Sequence, residues 1–170
     1  MLNKKLSKVA LGGGCHWCTE AVFLSLNGVN CVEQGYVTST SDHDSFSEAI
    51  IVHFDANEIT LNTLIKIHLF THKSTSNHSM REIYRSAVYV YDKEQETEAK
   101  VILETLQKEF DDQLITKVLP FKSFKMSREE IQNYYYQNPE KPFCKTFIAP
   151  KLKLLLEQFS DQVNARIAHK

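Results

Sequence analysis

The stretch KVALGGGCHWCTEAVFLSL, residues 8–26, decides how the chain begins to fold. Its first four residues favour a β-strand, the glycines at 12–14 predict a turn, and the apolar spacing after Cys15 is typical of a helix. Cys15 is therefore expected where a strand passes into a helix. A sulfur at that position lies close to free backbone N–H groups and to the positive end of the helix dipole, which together stabilise a thiolate.

The segments that follow add further strands and a second helix to this strand–turn–helix unit. Two β-rich runs lie at 29–38 and 47–55, separated by a loop rich in Ser and Asp. Thr60 is a candidate N-cap for an amphipathic helix, and residues 85–91 read as a further strand. The order βαββαβ is that of the ferredoxin-like split βαβ motif. We therefore expect an α+β fold with a ferredoxin-like core.

The remainder of the chain predicts mainly helices. Residues 92–95 and 127–130 have the pattern of capping boxes before helices, and a C-terminal amphipathic helix follows Pro150. A run at 114–120 is a candidate edge strand. At 170 residues the sequence fits a single domain spanning positions 1–170, since domains commonly hold roughly 100–200 residues.

Charge and hydropathy exclude several classes of protein. The 20 basic and 21 acidic side chains give a formal net charge of −1, and no basic run points to a nucleic acid or an anionic membrane. No stretch of about 18 apolar residues predicts a transmembrane helix, and the N-terminal segment lacks the apolar core of a signal peptide. We expect a soluble, cytoplasmic protein with neither a nucleic acid nor a membrane as partner.

The cysteines allow more than one kind of chemistry. Four of them, at positions 15, 18, 31 and 144, are too few for an extracellular disulfide framework in a chain of this length. Cys15 and Cys18 form a C-x-x-C motif, which favours a thioredoxin-type dithiol exchanger, although that fold continues with a parallel strand and not with a hairpin. Cys15 could also be a small buried residue without any reactivity.

A metal site is the third possibility for these thiols. His68 and His72 have the i, i+4 spacing of zinc ligands on a helix. No glutamate of the zinc-protease pattern lies between them, and no second C-x-x-C accompanies the first. We therefore expect no metal and assign these histidines to a polar helix face.

The segment Gly14-Cys15-His16-Trp17 resembles the GCFW-type turn that carries the nucleophilic cysteine of the peptide methionine sulfoxide reductase A family. Departures from the family pattern at Ser79 and Ile131 mark a divergent member. Further segments resemble the family in the same order along the chain: GVNCVEQGYV at 28–37, SEAIIVHFD at 47–55, TLIKIHLFTH at 63–72, YRSAVY at 84–89 and YYYQNPEKPFC at 134–144.

The resemblance implies thiol chemistry that needs no metal or organic cofactor. The thiolate of Cys15 attacks the sulfur of (S)-methionine sulfoxide, free or within a protein, while an acid protonates the oxygen. Methionine leaves, and the cysteine becomes a sulfenic acid. A second thiol then forms a disulfide with Cys15, and a thioredoxin-like partner reduces that disulfide. A C-x-x-C exchanger or redox sensor remains the alternative, and a metal- or peptide-binding module is a third.

The resemblance also implies roles for individual side chains. Glu48 matches the acid of the family, and Tyr84 matches the tyrosine that helps to hold the sulfoxide oxygen. Tyr36 is a further candidate for that task. Trp17 and His16 would line the pocket for the substrate methyl group, and His16 stands where the family usually has phenylalanine.

Two thiols compete for the role of resolving cysteine. Cys144 matches the C-terminal cysteine that resolves the sulfenic acid in many family members, and its proline-rich segment predicts a loop in which it can move toward Cys15. Cys18 is the alternative because it follows Cys15 by one helical turn, and a relay through both thiols stays open. Cys31 lies in a β-rich run and is expected to be buried and inert.

Overall fold

A six-stranded mixed sheet forms the centre of the fold. The computed structural model describes residues 6–128 and 133–164. The strand order across the sheet is β5-β4-β1-β3-β2-β6, and all neighbouring strands are antiparallel except β4 and β5. The strands are β1 (Ser7–Gly12), β2 (Val29–Thr38), β3 (Ser47–Phe54), β4 (Ala87–Val90), β5 (Lys117–Pro120) and β6 (Ser123–Met126).

Helices complete the α+β architecture, and that class is confirmed. Thr60 accepts a hydrogen bond from the backbone N–H of Thr63, as the predicted N-cap should (3.1 Å). None of the helices in the described ranges is long and apolar enough to cross a membrane. The helices are α1 (His16–Leu24), α2 (Leu61–Phe70), α3 (Lys93–Leu106), α4 (Tyr134–Gln137) and α5 (Ala149–Gln158), with a π-helical turn at Cys144–Ile148 and 3-10 turns at Ser41–His43, Gln107–Glu109 and Ser160–Gln162.

Alternation along the strands divides the apolar core into two layers. The larger cluster joins the sheet to the helices and includes Val9 and Leu11 of β1. The smaller cluster lies on the opposite face and includes Ala10, Ile51 and Tyr89. Because side chains alternate between faces, a slip of one residue would exchange the two layers, and the register is fixed. This register holds the end of β1, and the glycine turn after it, beside the start of β3.

Several local predictions differ from the structure. The strand β6 was not predicted, because its four residues include one aromatic side chain and are mostly exposed. The first helix stops at Leu24, two residues before the end of the stretch 8–26 whose spacing predicts it. Cys31 is exposed and not buried, because it lies in the first half of β2, where the side chains are exposed or only half-buried. The predicted capping residue Glu130 and the family departure at Ile131 lie outside the described residues.

Cys144 also departs from its predicted setting. Prolines on both sides favour a loop, but Cys144 begins the π-helical turn and its side chain is completely buried against the core. The apolar residues that follow it continue directly into α5, so this segment packs as a helix. The loop prediction for Cys144 is therefore wrong.

Candidate active site

Cys15 occupies the N-cap position of α1, directly after the glycine turn. Gly13 has a φ of +155°, a conformation that side chains strongly disfavour. The ring Nε2 of His68 lies 2.7 Å from the carbonyl oxygen of Gly12 and donates to it. The guanidinium of Arg81 donates to the carbonyl oxygen of Gly13 at 2.8 Å. Side chains from α2 and from the segment before β4 thus hold the turn that presents Cys15.

The surroundings of Cys15 favour the thiolate. A hydrogen bond from the thiol of Cys18 is the largest influence that lowers the pKa of Cys15, and the backbone N–H groups of Trp17 and Cys18 lower it further, against an opposing effect of burial. The same hydrogen bond, together with burial, raises the pKa of Cys18. Of the two thiols, Cys15 is therefore the one that loses its proton more readily, and Cys18 keeps its proton and acts as the donor.

Most of the predicted site residues line one cavity. Its volume is about 530 Å³, which lies within the range of small-molecule pockets. Six residues that the sequence analysis selected line it, and they come from α1, β2, β3 and the segment before β4: Cys15, His16, Trp17, Tyr36, Glu48 and Tyr84.

An acid and a phenol lie in the same cavity as the thiolate. Glu48 is the second residue of β3, and its Oε1 accepts a hydrogen bond from the backbone N–H of His16 at 3.2 Å. Burial raises the pKa of Tyr84, and the negative charges of Glu48 and Cys15 and a hydrogen bond to Glu48 raise it further. The Tyr84 hydroxyl thus keeps its proton and can donate to an oxygen atom of a bound molecule.

The ring of His16 is buried between β2 and Glu48. Its Nδ1 lies 3.0 Å from the carbonyl oxygen of Gly35, and its Nε2 lies 3.2 Å from Oε1 of Glu48. The ring of Tyr36 meets it edge to face, with 5.2 Å between the centroids. Contacts with Gly35, Tyr36 and Glu48 therefore hold His16 in place, and its ring links β2 to the carboxyl group of Glu48.

The family model described as peptide methionine sulfoxide reductase matches residues 7–163. The chain belongs to the peptide methionine sulfoxide reductase family. The peptide methionine sulfoxide reductase MsrA of Trichodesmium erythraeum (strain IMS101) is 36% identical, over 94% of this chain and 99% of its own. The protein is accordingly an oxidoreductase whose reaction depends on a thiol.

Two solved structures show the same fold. The reduced form of Mxr1 from Saccharomyces cerevisiae superposes with a TM-score of 0.74 at 24% identity, covering 84% of this chain and 91% of that chain. Mxr1 in complex with Trx2 superposes with a TM-score of 0.61 at 24% identity, covering 76% of this chain and 85% of that chain.

Some residues that line the cavity of this reductase were not predicted. Phe143 packs edge to face against Trp17, with 5.2 Å between the ring centroids, and extends the aromatic wall. Its position directly before Cys144, in a segment already matched to the family, is the signal that could have found it. Residues 125–128 line the cavity because β6 pairs with β2, and no local pattern in the sequence reveals that pairing.

The two candidate resolving thiols lie outside the lining of the cavity. Cys18 is buried behind Cys15, one turn along α1. Cys144 is also buried, which raises its pKa, and its charge would in turn raise the pKa of Cys18. All four cysteines are unpaired. The structure therefore brings Cys15, Cys18 and Cys144 into one neighbourhood in their reduced state.

His68 and His72, the histidines considered as zinc ligands, pack against the glycine turn. The ring Nδ1 of His72 donates to the carbonyl oxygen of His68 at 2.5 Å, and its Nε2 accepts from the hydroxyl of Ser86 at 2.8 Å. Burial lowers the pKa of His68 to about 4 and lowers that of His72 as well, so both rings are neutral. Within residues 6–128 and 133–164, no three potential ligand side chains are grouped as a metal site would require.

Proposed function

We propose that Cys15 reduces (S)-methionine sulfoxide to methionine in the cavity that it shares with Glu48 and Tyr84. The observation that carries this proposal is the placement of a stabilised thiolate in the same cavity as a carboxyl group and a protonated phenol. A sulfoxide offers an electrophilic sulfur to the thiolate and a basic oxygen to the two donors. The arrangement therefore matches the polarity of the S=O bond.

The first step transfers an oxygen atom and two electrons. The thiolate of Cys15 forms a bond to the sulfoxide sulfur, and the carboxyl group of Glu48 passes a proton to the oxygen, with Tyr84 and Tyr36 as further hydrogen-bond donors. The oxygen then passes to the sulfur of Cys15 while the S–O bond of the substrate and the new S–S bond both break, and methionine leaves. Cys15 is oxidised by two electrons to a sulfenic acid that carries the proton from Glu48, and Glu48 becomes a carboxylate.

The wall of the cavity suits the remainder of the side chain. Trp17 and Phe143 present two rings at a steep angle to one another, and a methyl group bound to sulfur packs well against such surfaces. Recognition by these residues needs only the end of one side chain. We infer that the site accepts methionine sulfoxide in a peptide as well as the free amino acid.

The second step regenerates the enzyme through a disulfide. The thiol of Cys144 attacks the sulfenic acid of Cys15, which gives a Cys15–Cys144 disulfide and one molecule of water. Because Cys144 is fully buried, its π-helical turn must shift for the sulfurs to meet. Cys18 offers an alternative or a relay, since it contacts Cys15 and lies near Cys144.

We infer that a thioredoxin-like dithiol reduces this disulfide. The two thiols of the partner supply the two electrons and two protons, and they end as a disulfide. The structure of the relative Mxr1 with Trx2 supports this kind of partner. No metal or organic cofactor enters either step.

We infer a ferredoxin-like βαββαβ core within one domain over residues 1–170, supported by the adjacent order β4-β1-β3-β2 and by the family match over residues 7–163. We also infer a cytoplasmic location, because four unpaired thiols and a dithiol reductant suit a reducing compartment.

A C-x-x-C thiol-disulfide exchanger is the second candidate, and the hydrogen bond between Cys15 and Cys18 favours it. One assay distinguishes the reductase from the exchanger. A peptide that contains both epimers of methionine sulfoxide is incubated with the enzyme and dithiothreitol and is then separated by chiral chromatography. We expect loss of the S epimer, and none with Cys15→Ser. Reduction of insulin without loss of sulfoxide would favour the exchanger.

A further inference from the structure

A second cavity lies next to the active site and has no part in the proposed reaction. Its volume is about 530 Å³, which again lies in the range of small-molecule pockets. The described residues that line it are all different from those that line the active site. The segment before β4 separates the two cavities, because Tyr84 lines the active site whereas Arg81, Arg85 and Ser86 line the second cavity.

The side chain of Arg85 is buried in the wall of this second cavity. The residue is 7% exposed, and its hydrogen bonds go to the hydroxyl of Tyr89 and to the carbonyl oxygen and hydroxyl of Ser45, each at 3.0 Å. A guanidinium has five N–H donors, so at least two of those on Arg85 have no partner among the residues that the structure describes. None of these partners is a carboxylate, although a buried charge is usually paired. Arg85 is therefore a buried cation that can still bind an anion.

Two further cations line the cavity. Arg81 donates only to carbonyl oxygens of the backbone. Within the described ranges, neither Arg81 nor Lys117 forms an ion pair with a carboxylate. His43 lines the same cavity, and its pKa is lowered first by burial and then by the charges of Lys117 and Arg85, against an opposing effect of Asp42. The charges of Lys117 and Arg85 therefore act on the same part of the cavity.

The carboxylates at the cavity do not neutralise its buried end. Asp42 and Glu82 belong to the lining, but both are exposed, whereas Arg85 is buried and Arg81 is half-buried. Water and salt screen exposed charges far more than buried ones. The interior of the cavity is therefore positive and suits a negatively charged group.

Apolar side chains form another part of the lining. Leu114 and Ile115, in the segment that leads into β5, line the cavity and are half-buried. A single inorganic anion would fill only a small part of the cavity, and it would gain little from contact with these side chains. The lining therefore fits a molecule that has both an anionic group and a short apolar chain.

We propose that this second cavity is a binding site for a small organic carboxylate, whose charged group binds to Arg85 and whose chain packs against Leu114 and Ile115. A hydrogen bond between a guanidinium and a carboxylate is about twice as strong as one between neutral groups, and Arg85 has donors available for it. Lys117, which is exposed, adds attraction at the entrance. The site is separate from the sulfoxide cavity, and the inference does not depend on the proposed function.

An NMR titration of the intact protein with sodium butanoate at constant ionic strength tests this site. We expect saturable shifts of the backbone amide signals of residues 114–117 and of the Nε–H signal of Arg85. The indole signal of Trp17, in the active site, should stay unchanged. Acetate should bind about tenfold more weakly, because it lacks two CH₂ groups that would be buried. Butan-1-ol lacks the charge and should cause no saturable shift.

Charge reversal at an exposed lysine gives a matched pair of variants. Lys117→Glu changes an exposed side chain, so the protein should fold, and we expect butanoate to bind about three- to tenfold more weakly through a lost attraction and a new repulsion. Lys122→Glu is the control, because Lys122 is also exposed and belongs to the lining of neither cavity. The control should bind butanoate as the wild type does.

Several results would overturn the inference. An Arg85 signal that does not move while butanoate binds would remove Arg85 from the site. Tighter binding of inorganic phosphate than of butanoate, or equal binding of acetate and butanoate, would contradict the assigned class of ligand. Shifts at Trp17 without shifts at residues 114–117 would place the carboxylate in the active site instead.

Discussion

The thiol of Cys18 donates a hydrogen bond to the sulfur of Cys15, one turn earlier on the same helix. This bond lowers the pKa of Cys15 and raises that of Cys18. It therefore distinguishes the two cysteines of the C-x-x-C motif by their pKa values. We propose that Cys15 is the nucleophile and that Cys18 stabilises its thiolate.

Loss of this donor should make Cys15 less reactive at neutral pH. We expect Cys18→Ala to raise the pKa of Cys15 by about one to two pH units, because a hydrogen bond to a charged group contributes roughly 1.5–3 kcal/mol and one pH unit corresponds to about 1.4 kcal/mol. The measurement is the rate of iodoacetamide alkylation of Cys15 against pH, followed by peptide mass spectrometry. Cys31→Ala, which removes an exposed thiol, is the control. An unchanged titration of Cys15 in Cys18→Ala would contradict the assignment of the donor.

Glu48→Gln should slow the first reductive step without removing the nucleophile. General acids commonly contribute about 10²–10⁴-fold to a rate, and we expect a loss of that order in methionine formed during a single turnover. The thiolate of Cys15 should persist, because glutamine carries no charge and cannot raise the pKa of Cys15 as a Glu48 carboxylate does. Glu33→Gln on β2 is the control. A single-turnover rate that is unaltered across the pH range would remove Glu48 from the mechanism.

Cys144→Ser should separate the two steps of the cycle. We expect this variant to form methionine once, to accumulate sulfenic acid on Cys15, and to lose cycling with thioredoxin. Peptide mass spectrometry after one equivalent of substrate should show the Cys15–Cys144 disulfide in the wild type, and Cys18→Ser is the companion variant. A clean Cys15–Cys18 disulfide together with undiminished cycling in Cys144→Ser would make the C-x-x-C pair the redox centre.

Local patterns predicted the part of the site that depends on neighbouring residues in sequence. The glycine run before Cys15 and the helical spacing after it place the thiol at a helix start, as the structure shows. Glu48 and Tyr36 were placed near strand ends, and the antiparallel pairing of β2 with β3 sets them opposite one another. These features follow from turn chemistry and strand alternation, which a single sequence expresses directly.

Features that depend on distant parts of the chain were not predictable in the same way. Cys144 is buried because its π-helical turn packs against α1, and its neighbouring prolines suggested a loop instead. The pairing of β6 with β2 brings residues 125–128 to the cavity across a long separation in sequence. The second contact of His16 with Glu48 needed the same long-range geometry, because the two residues are 32 positions apart.

Two alanine substitutions in the glycine turn should differ in their effect on the stability of the protein. A Cβ on Gly13 would lie 2.4 Å from the ring of His72, at a φ of +155°, whereas the atom nearest to a Cβ on Gly14 is 3.9 Å away. We expect Gly13→Ala to lower the free energy of unfolding by about 2–4 kcal/mol, from backbone strain and overpacking. Gly14→Ala should change it by no more than about 0.5 kcal/mol. Urea unfolding of the two variants measures both values, and equal losses would show that the His72 ring does not constrain the turn.

The most direct test of the central claim is a single turnover without reductant. The wild-type enzyme is mixed with one equivalent of a peptide that carries (S)-methionine sulfoxide, and methionine and free thiols are counted. We predict about one methionine per chain and the loss of two free thiols, one of them Cys15, because sulfenic acid formation and its condensation consume one thiol each. Cys15→Ser should form no methionine. Formation of methionine by Cys15→Ser in the wild-type amount, or an intact set of thiols in a wild type that has formed methionine, would contradict the account.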